Sequence, residues 1–215
     1  MASDAHWHLT IRRYAGTGPP EAIGERVRAG LLPRLTLQPG FRAYLAARLD
    51  GGGGVFSVSV FDEAAAMAAA NAFVLDWAGS ALADLLSAPP EVTTADVRVY
   101  LGGDRPGSDG YVLVRQTDGL AATAQIMPAV QERLVPLTLA QPGFRRLYTG
   151  RDATRGDRAI AVSVFTNRDT ATAAHAQVVA MMARHREVWP NPSHVLMGGE
   201  VLASAVGLGT PRVLP

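Results

Sequence analysis

Leu37-Gln38-Pro39-Gly40-Phe41-Arg42 recurs as Ala140-Gln141-Pro142-Gly143-Phe144-Arg145, an offset of 103 residues from Phe41 to Phe144. At the same offset Arg12 meets Arg115, Ile23 meets Ile126, Val27 meets Val130 and Pro33 meets Pro136. Val58-Ser59-Val60-Phe61 recurs as Val162-Ser163-Val164-Phe165 at an offset of 104, so one residue has been added in the intervening loop. Asp96-Val97 then aligns with Glu200-Val201. Order is kept from end to end, which marks a tandem duplication of a unit of about 95 residues.

Each copy reads β-α-β-β-α-β. The first strand covers Trp7 to Arg13, matched by Val112 to Gln116. Alternation sets Trp7, Leu9 and Ile11 on one face, expected to meet the helices, and His8, Thr10 and Arg12 on the other. The first helix runs from about Glu21 to Leu35 and from about Ala122 to Leu139, with Pro33 expected to kink or narrow its last turn. Gln-Pro-Gly makes the turn into strand two. The hairpin loop is Gly51 to Gly54 in one copy and Asp152 to Asp157 in the other. Strand three is Val55 to Phe61, or Ala159 to Phe165. The second helix covers about Asp62 to Leu86, or Asp169 to His185, with Asp62 and Asn167 as N-caps. Strand four is Asp96 to Leu101, or Gly199 to Ser204. The expected organisation is a first repeat over 1–101, a linker over 102–110, a second repeat over 111–206 and an irregular tail over 207–215.

Composition narrows the chemistry. Among 215 residues, 48% are apolar and 18% charged, which describes a folded chain. Twenty basic against 19 acidic residues leave no surplus to neutralise a phosphate backbone, so nucleic acid is not an expected partner. There is no Cys, which removes thiolate nucleophiles, disulfides and Cys-ligated metals. Every basic residue is Arg, so Schiff-base lysines and the Walker A lysine are excluded as well. The Ala-, Gly- and Arg-rich usage fits a GC-rich bacterial genome. No signal peptide opens the sequence and no apolar stretch spans a bilayer, so a cytoplasmic protein without a membrane partner is expected. No G-x-S-x-G, G-x-G-x-x-G or P-loop occurs. His6 with His8, and His175 with His185, do not complete a metal triad, and His194 sits in a loop; no metal site is expected.

The β-α-β-β-α-β order is the ferredoxin-like unit, with helices on one sheet face. Strand three is apolar on both faces, so the helix-free face also needs cover. The expected fold is therefore α+β: two ferredoxin-like βαββαβ repeats packed sheet-to-sheet as a dimeric α/β barrel within one chain. Q-P-G-F after helix one, V-S-V-F leading into an Ala-rich helix, and a closing [D/E]-V strand resemble the antibiotic biosynthesis monooxygenase-like family of the dimeric α/β-barrel superfamily. The resemblance covers nearly all of both copies and implies a pocket between sheet and helices in each. It implies activities that range from cofactor-independent oxygenation of aromatic polyketides to haem degradation and isomerisation.

Polar residues on the core stripe of helix two are the candidates for that pocket. Met67, Asn71, Val74, Ala78 and Ala81 follow helical spacing, which sets an amide on an apolar seam. His175 is the equivalent residue in the second copy. Buried polar groups need partners, so a lined cavity and a satisfied core amide are the two readings at this point. Trp77 and its equivalent Met181 lie further along the helix, where an aromatic stacks on a flat ligand or fills the core. Arg13 and its equivalent Gln116 end strand one on the Trp7-Leu9-Ile11 side, where they would hold a substrate oxygen. The expected catalytic residues are His175, Asn71 and Arg13; the expected substrate-binding residues are Trp77, Gln116 and Met181. The family's haem-degrading members pair an Asn near the end of strand one with a Trp and a His on helix two. That set is incomplete in both copies. Its polyketide oxygenases place Asn and Trp one turn apart, against six residues here.

Three functions follow as expectations. One is a cofactor-independent monooxygenase acting on an aromatic or polyketide-like molecule, needing no cofactor because an ionised phenol or enol itself donates an electron to O2. Another is a non-catalytic module binding a small apolar or aromatic ligand. A lesser one is a haem-binding or haem-degrading protein. The fused pair completes its own barrel, which allows a monomer with an internal pseudo-dimer, or a homodimer.

Overall fold

The two Gln-Pro-Gly turns form alike. Gly40 and Gly143 take φ of 72° and 70°, the left-handed region in which a side chain is strained, and so end the preceding helix. Phe41 and Phe144 then donate backbone N–H bonds to Gln38 and Gln141, each at 3.2 Å. Gly40 and Gly143 accept in turn from Asp62 and Thr166, each at 2.9 Å, which ties each turn to the end of strand three. Both turns are clasped by an edge-on aromatic pair, Phe41 with Phe61 at 5.8 Å and Phe144 with Phe165 at 5.9 Å.

The computed structural model describes residues 7–102, 110–207 and 212–213. The first copy comprises β1 (Trp7–Ala15), a helix α1 (Pro20–Arg26, continued by Val27–Leu31 and Leu32–Leu35), β2 (Phe41–Arg48), β3 (Gly54–Phe61), α2 (Ala64–Ala81) and β4 (Glu91–Gly102). The second repeats that order as β5 (Tyr111–Thr117), α3 (Thr123–Ala129, continued by Val130–Leu134 and Val135–Leu139), β6 (Phe144–Asp152), β7 (Ala159–Phe165), α4 (Arg168–Arg184) and β8 (His194–Val206). The mixed α+β class and the antiparallel strand pairing agree with the expectation.

The chain forms two compact units whose limits differ from the sequence repeats. Among described residues, the first unit holds 7–94 and 199–207, and the second holds 95–102, 110–198 and 212–213. In the first unit the strand order is β1-β3-β2-β8, with Ala43 opposite Val206 and Ala46 opposite Ala203. In the second it is β5-β7-β6-β4, with Leu101 opposite Leu147 and Ala95 opposite Asp152. Each sheet thus takes the end of its fourth strand from the other sequence repeat. Both fourth strands are bulged at the same place: register shifts between Val97 and Val99 in β4, and at Ala46/Ala47 opposite β8. Residues 103–109 of the expected linker lie outside the described residues. The tail is not wholly irregular, since β9 (Arg212–Val213) pairs with Val99 and Tyr100.

Three local expectations are corrected. Pro33 and Pro136 do not narrow their helices. With no N–H to bond four residues back, the chain widens into a π turn, and Leu32 and Val135 donate to Val27 and Val130, five residues back. Asp62 does not cap α2, which starts at Ala64; its carboxylate instead grips Arg42. Asn167 does cap α4, accepting from the Thr170 N–H at 3.0 Å. The helix over 62–86 stops at Ala81.

The face of β1 that meets the helices is the reverse of the one expected. Tyr14 packs with Ile23, Val27 and Leu31 of α1 and Val74, Trp77 and Ala78 of α2, so the Thr10-Arg12-Tyr14 side faces the helices. Trp7, Leu9 and Ile11 line the opposite side and are also buried. A sheet buried on both faces gives alternation no polar side to identify.

Candidate functional site

Arg12 stands mid-strand on the helix-facing side of the first sheet with no exposed surface. Its Nε donates to Asn71 Oδ1 at 2.8 Å and its Nη1 to Ser59 Oγ at 2.8 Å, while Nη2 finds no partner. Tyr14 and Tyr44 lie close by, and burial pushes the Tyr44 hydroxyl up to about 12. The strand register explains the arrangement: Arg12 lies opposite Ser57, and Ser59 lies opposite Tyr44 on β2, all on one face. Burial also lowers the Arg12 guanidinium from its usual range. Taking a cation out of water costs several kcal/mol, roughly, unless it is paired. Here neutral oxygens do the pairing.

Arg115 repeats this position in the second unit. It is 6% exposed, and its Nη2 donates to Ser163 Oγ at 2.7 Å, as the repeat of Ser59 requires. The residue aligned with Asn71 is His175, and no bond replaces the amide: Arg115 Nε and His175 Nδ1 are both buried without a hydrogen-bond partner. Burial alone lowers Arg115 to about 10, with no carboxylate acting on it. His175 is held below its usual range by desolvation first, then by the positive charge of Arg115 and by His194. It is therefore neutral near pH 7.

Each unit has a cavity between its sheet and helices. The first measures about 20 Å³ and is walled by Tyr14, Tyr44, Trp77, Leu31, Leu82 and neighbours, which is room for roughly one water. The second measures about 70 Å³. Its wall is apolar over Leu120, Ile126, Met127, Leu134, Val178 and Trp189, and carries three cations, Arg115, Arg98 and Arg151. No Asp, Glu or His stands among the described wall residues. Arg115 is buried, whereas Arg98 and Arg151 are half-exposed, so the cavity runs from an inner to an outer cation. Arg98 reaches the wall from the bulge in β4. Arg151 donates to the carbonyl oxygens of Gly156 and Ala121.

The expected site residues are dispersed. Asn71 serves Arg12. Trp77 fills the first cavity, and Gly30, facing its ring, leaves it room, since a Cβ there would lie 3.1 Å from the ring. Arg13 points to the other side of β1 and pairs at 3.0 Å with Glu91 in the open, far from the helices' face. Gln116 is likewise on the opposite parity to Arg115 and donates to Asp118 at 2.7 Å. Met181 is buried in the second core away from the cavity wall. His175 is beside Arg115 but not on the wall. His185 bonds with Arg133. Among described residues, no three His, Asp or Glu side chains converge on a point, and no helix is long and apolar enough to cross a membrane.

Arg12 and Arg115 are the residues sequence reasoning passed over. Their signal was present: a charge repeated at the same mid-strand position of two otherwise apolar strands.

No family model matches the sequence, and no curated protein does. Solved structures do match in three dimensions. A candidate monooxygenase of Fusobacterium nucleatum subsp. nucleatum is 10% identical with a TM-score of 0.69, over 97% of this chain and 98% of its own. A candidate monooxygenase of Lactobacillus acidophilus is 12% identical with a TM-score of 0.67, over 94% and 96%. An anthrone oxidase-like protein is 12% identical with a TM-score of 0.57, over 95% and 94%. The chain shares its fold with these three proteins, matched over nearly its full length; identities this low speak to fold alone.

Proposed function

We propose that the protein is a cofactor-independent monooxygenase acting on an aromatic or polyketide-like small molecule, and that the cavity of the second unit is its site. The observation carrying this reading is Arg115, a buried guanidinium without counter-charge at the inner end of an apolar cavity. A flat ring would meet an apolar wall, in a cavity of about 70 Å³ that must widen to admit it. An ionised phenol or enol oxygen would find in Arg115 a donor already oriented, in a medium of low dielectric where such a contact is strong. Ser163 holds that guanidinium in place. His175, neutral beside it, accepts the proton. The ionised ring then supplies the electrons: a ring CH2 loses two hydrogens and gains one atom of O2 as a carbonyl, and the second oxygen leaves as water. His175 and Arg115 thus take the chemical roles, and Arg13, Asn71, Trp77, Gln116 and Met181 take none. The same reading keeps the protein cytoplasmic, a monomer or homodimer with a small aromatic ligand.

A non-catalytic binding module is the second reading, favoured by the lack of a proton acceptor on the described cavity wall. An oxygen electrode separates the two. Uptake of O2 with a hydroxyanthrone and no added cofactor, reduced in His175→Gln, supports the oxygenase. Binding of the same compounds without uptake across a polyphenol panel supports the module.

A further inference from the structure

The two units carry the same buried arginine and treat it differently, and this difference specifies the ligand of the second cavity. In the first unit the side-on edge of the guanidinium is occupied by protein: Asn71 Oδ1 sits on Nε at 2.8 Å. In the second, the aligned His175 leaves Nε of Arg115 without an acceptor, and Nη2 has one hydrogen left after Ser163. Nε and Nη2 form the edge that a carboxylate engages with both oxygens. Farther out, the same cavity carries two more cations, Arg98 and Arg151, and no Asp, Glu or His stands on its described wall. An anion would neutralise a buried cation that no described carboxylate neutralises.

We infer that the second cavity takes a ligand that arrives as an anion, an aromatic carboxylate whose carboxylate docks on the Nε–Nη2 edge of Arg115 and whose ring lies among Ile126, Met127, Val178 and Trp189. The inference rests on the proposed placement of the site in the second unit, and it narrows the substrate class from aromatic molecules to aromatic acids. Asn71 marks how the first unit closes the same seat from within. The substitution His175→Asn should therefore build an internal acceptor for Arg115 and displace the ligand's carboxylate.

The test is calorimetric titration of the full chain, without O2, using phenylacetate and its neutral isostere phenylacetamide. The expected result is that the acid binds at least about tenfold more tightly than the amide. In His175→Asn, and in Arg115→Gln where circular dichroism shows it folded, that preference should shrink to about twofold or less. Equal binding of acid and amide, no binding of either, or a preference that survives in His175→Asn would overturn the inference. Oxygen uptake reports separately on the enzymatic reading. A preference for the acid with no O2 uptake on any hydroxylated aromatic acid leaves the anion site standing and removes the oxygenase. Uptake on neutral and acidic hydroxyanthrones at equal rates does the reverse.

Discussion

Arg12 and Arg115 came from one ancestral position, and the two units now spend it differently. In the first, a Trp and two Tyr close the cavity to about 20 Å³, and an amide holds the guanidinium. In the second, Met181, Thr117 and Leu147 stand where Trp77, Tyr14 and Tyr44 do, the cavity is about 70 Å³, and the guanidinium keeps an unmade bond. The bulge on the fourth strand repeats the contrast: Leu202 lies against Gly24 in the first unit, while Arg98 lines the cavity in the second. Arg12 leaves its Nη2 without a partner and Arg115 its Nε, so what separates the two is the side-on edge, which Asn71 occupies in the first unit and no acceptor occupies in the second.

The largest test of that contrast is Trp77→Ala, which opens the first cavity. It should cost about 3–5 kcal/mol in urea unfolding, as large-to-small core changes do. The variant should still show no acid binding at the first unit, because Asn71 continues to occupy Arg12; appearance of a second binding site in titration would break the comparison. Next comes Asn71→Ala, expected to cost about 1–3 kcal/mol by stranding the Arg12 Nε in the core. Its counterpart His175→Ala should cost about 1 kcal/mol or less, since it removes no hydrogen bond of Nδ1. Equal losses for the pair would show that His175 is as structural as Asn71. Ser59→Ala and Ser163→Ala, which remove the one partner the two arginines share, should each cost about 1.5–3 kcal/mol and match one another within about 0.5 kcal/mol.

The smallest effect is a pH dependence. His175 has its folded-state pKa lowered from 6.5, so the unfolded chain takes up the proton first. Its contribution is complete above that ordinary value and declines as pH falls below it toward the lowered one. The Tm of the natural chain should therefore fall more steeply between pH 7 and pH 5 than that of His175→Gln. A bound aromatic acid should flatten the slope, by offsetting the charge of Arg115; parallel slopes in all three samples would sink the assignment.

Much of the architecture was legible because duplication writes each signal twice. Two Gln-Pro-Gly turns, two hairpin loops and two matching strand-three motifs mark the repeating unit in the sequence itself. Several features escaped for physical reasons. Helix-facing parity was hidden because Leu9 and Ile11 are as buried on one side of β1 as Tyr14 is on the other. The exchange of fourth strands leaves no mark, since Val99 and Leu101 satisfy the apolar pattern whichever sheet they join. Of the candidate site, His175 was legible as a polar intrusion on an apolar helix stripe, and the proposed function keeps it while giving no role to the rest of that set. Arg115 was visible as half of a repeated pair, but an arginine inside a strand is ordinarily read as reaching water. Only its burial, and the amide missing opposite it, distinguish it.

The origin of Arg98 carries a consequence for how such a chain can change. It belongs by descent to the first repeat, yet by packing it lines the pocket of the second unit, alongside Val99 from the same strand. The copy with the smaller sheet–helix cavity is thus still a donor of charge to its sister's. Trimming the gene back to the second copy alone would take the outer cation away with the discarded half.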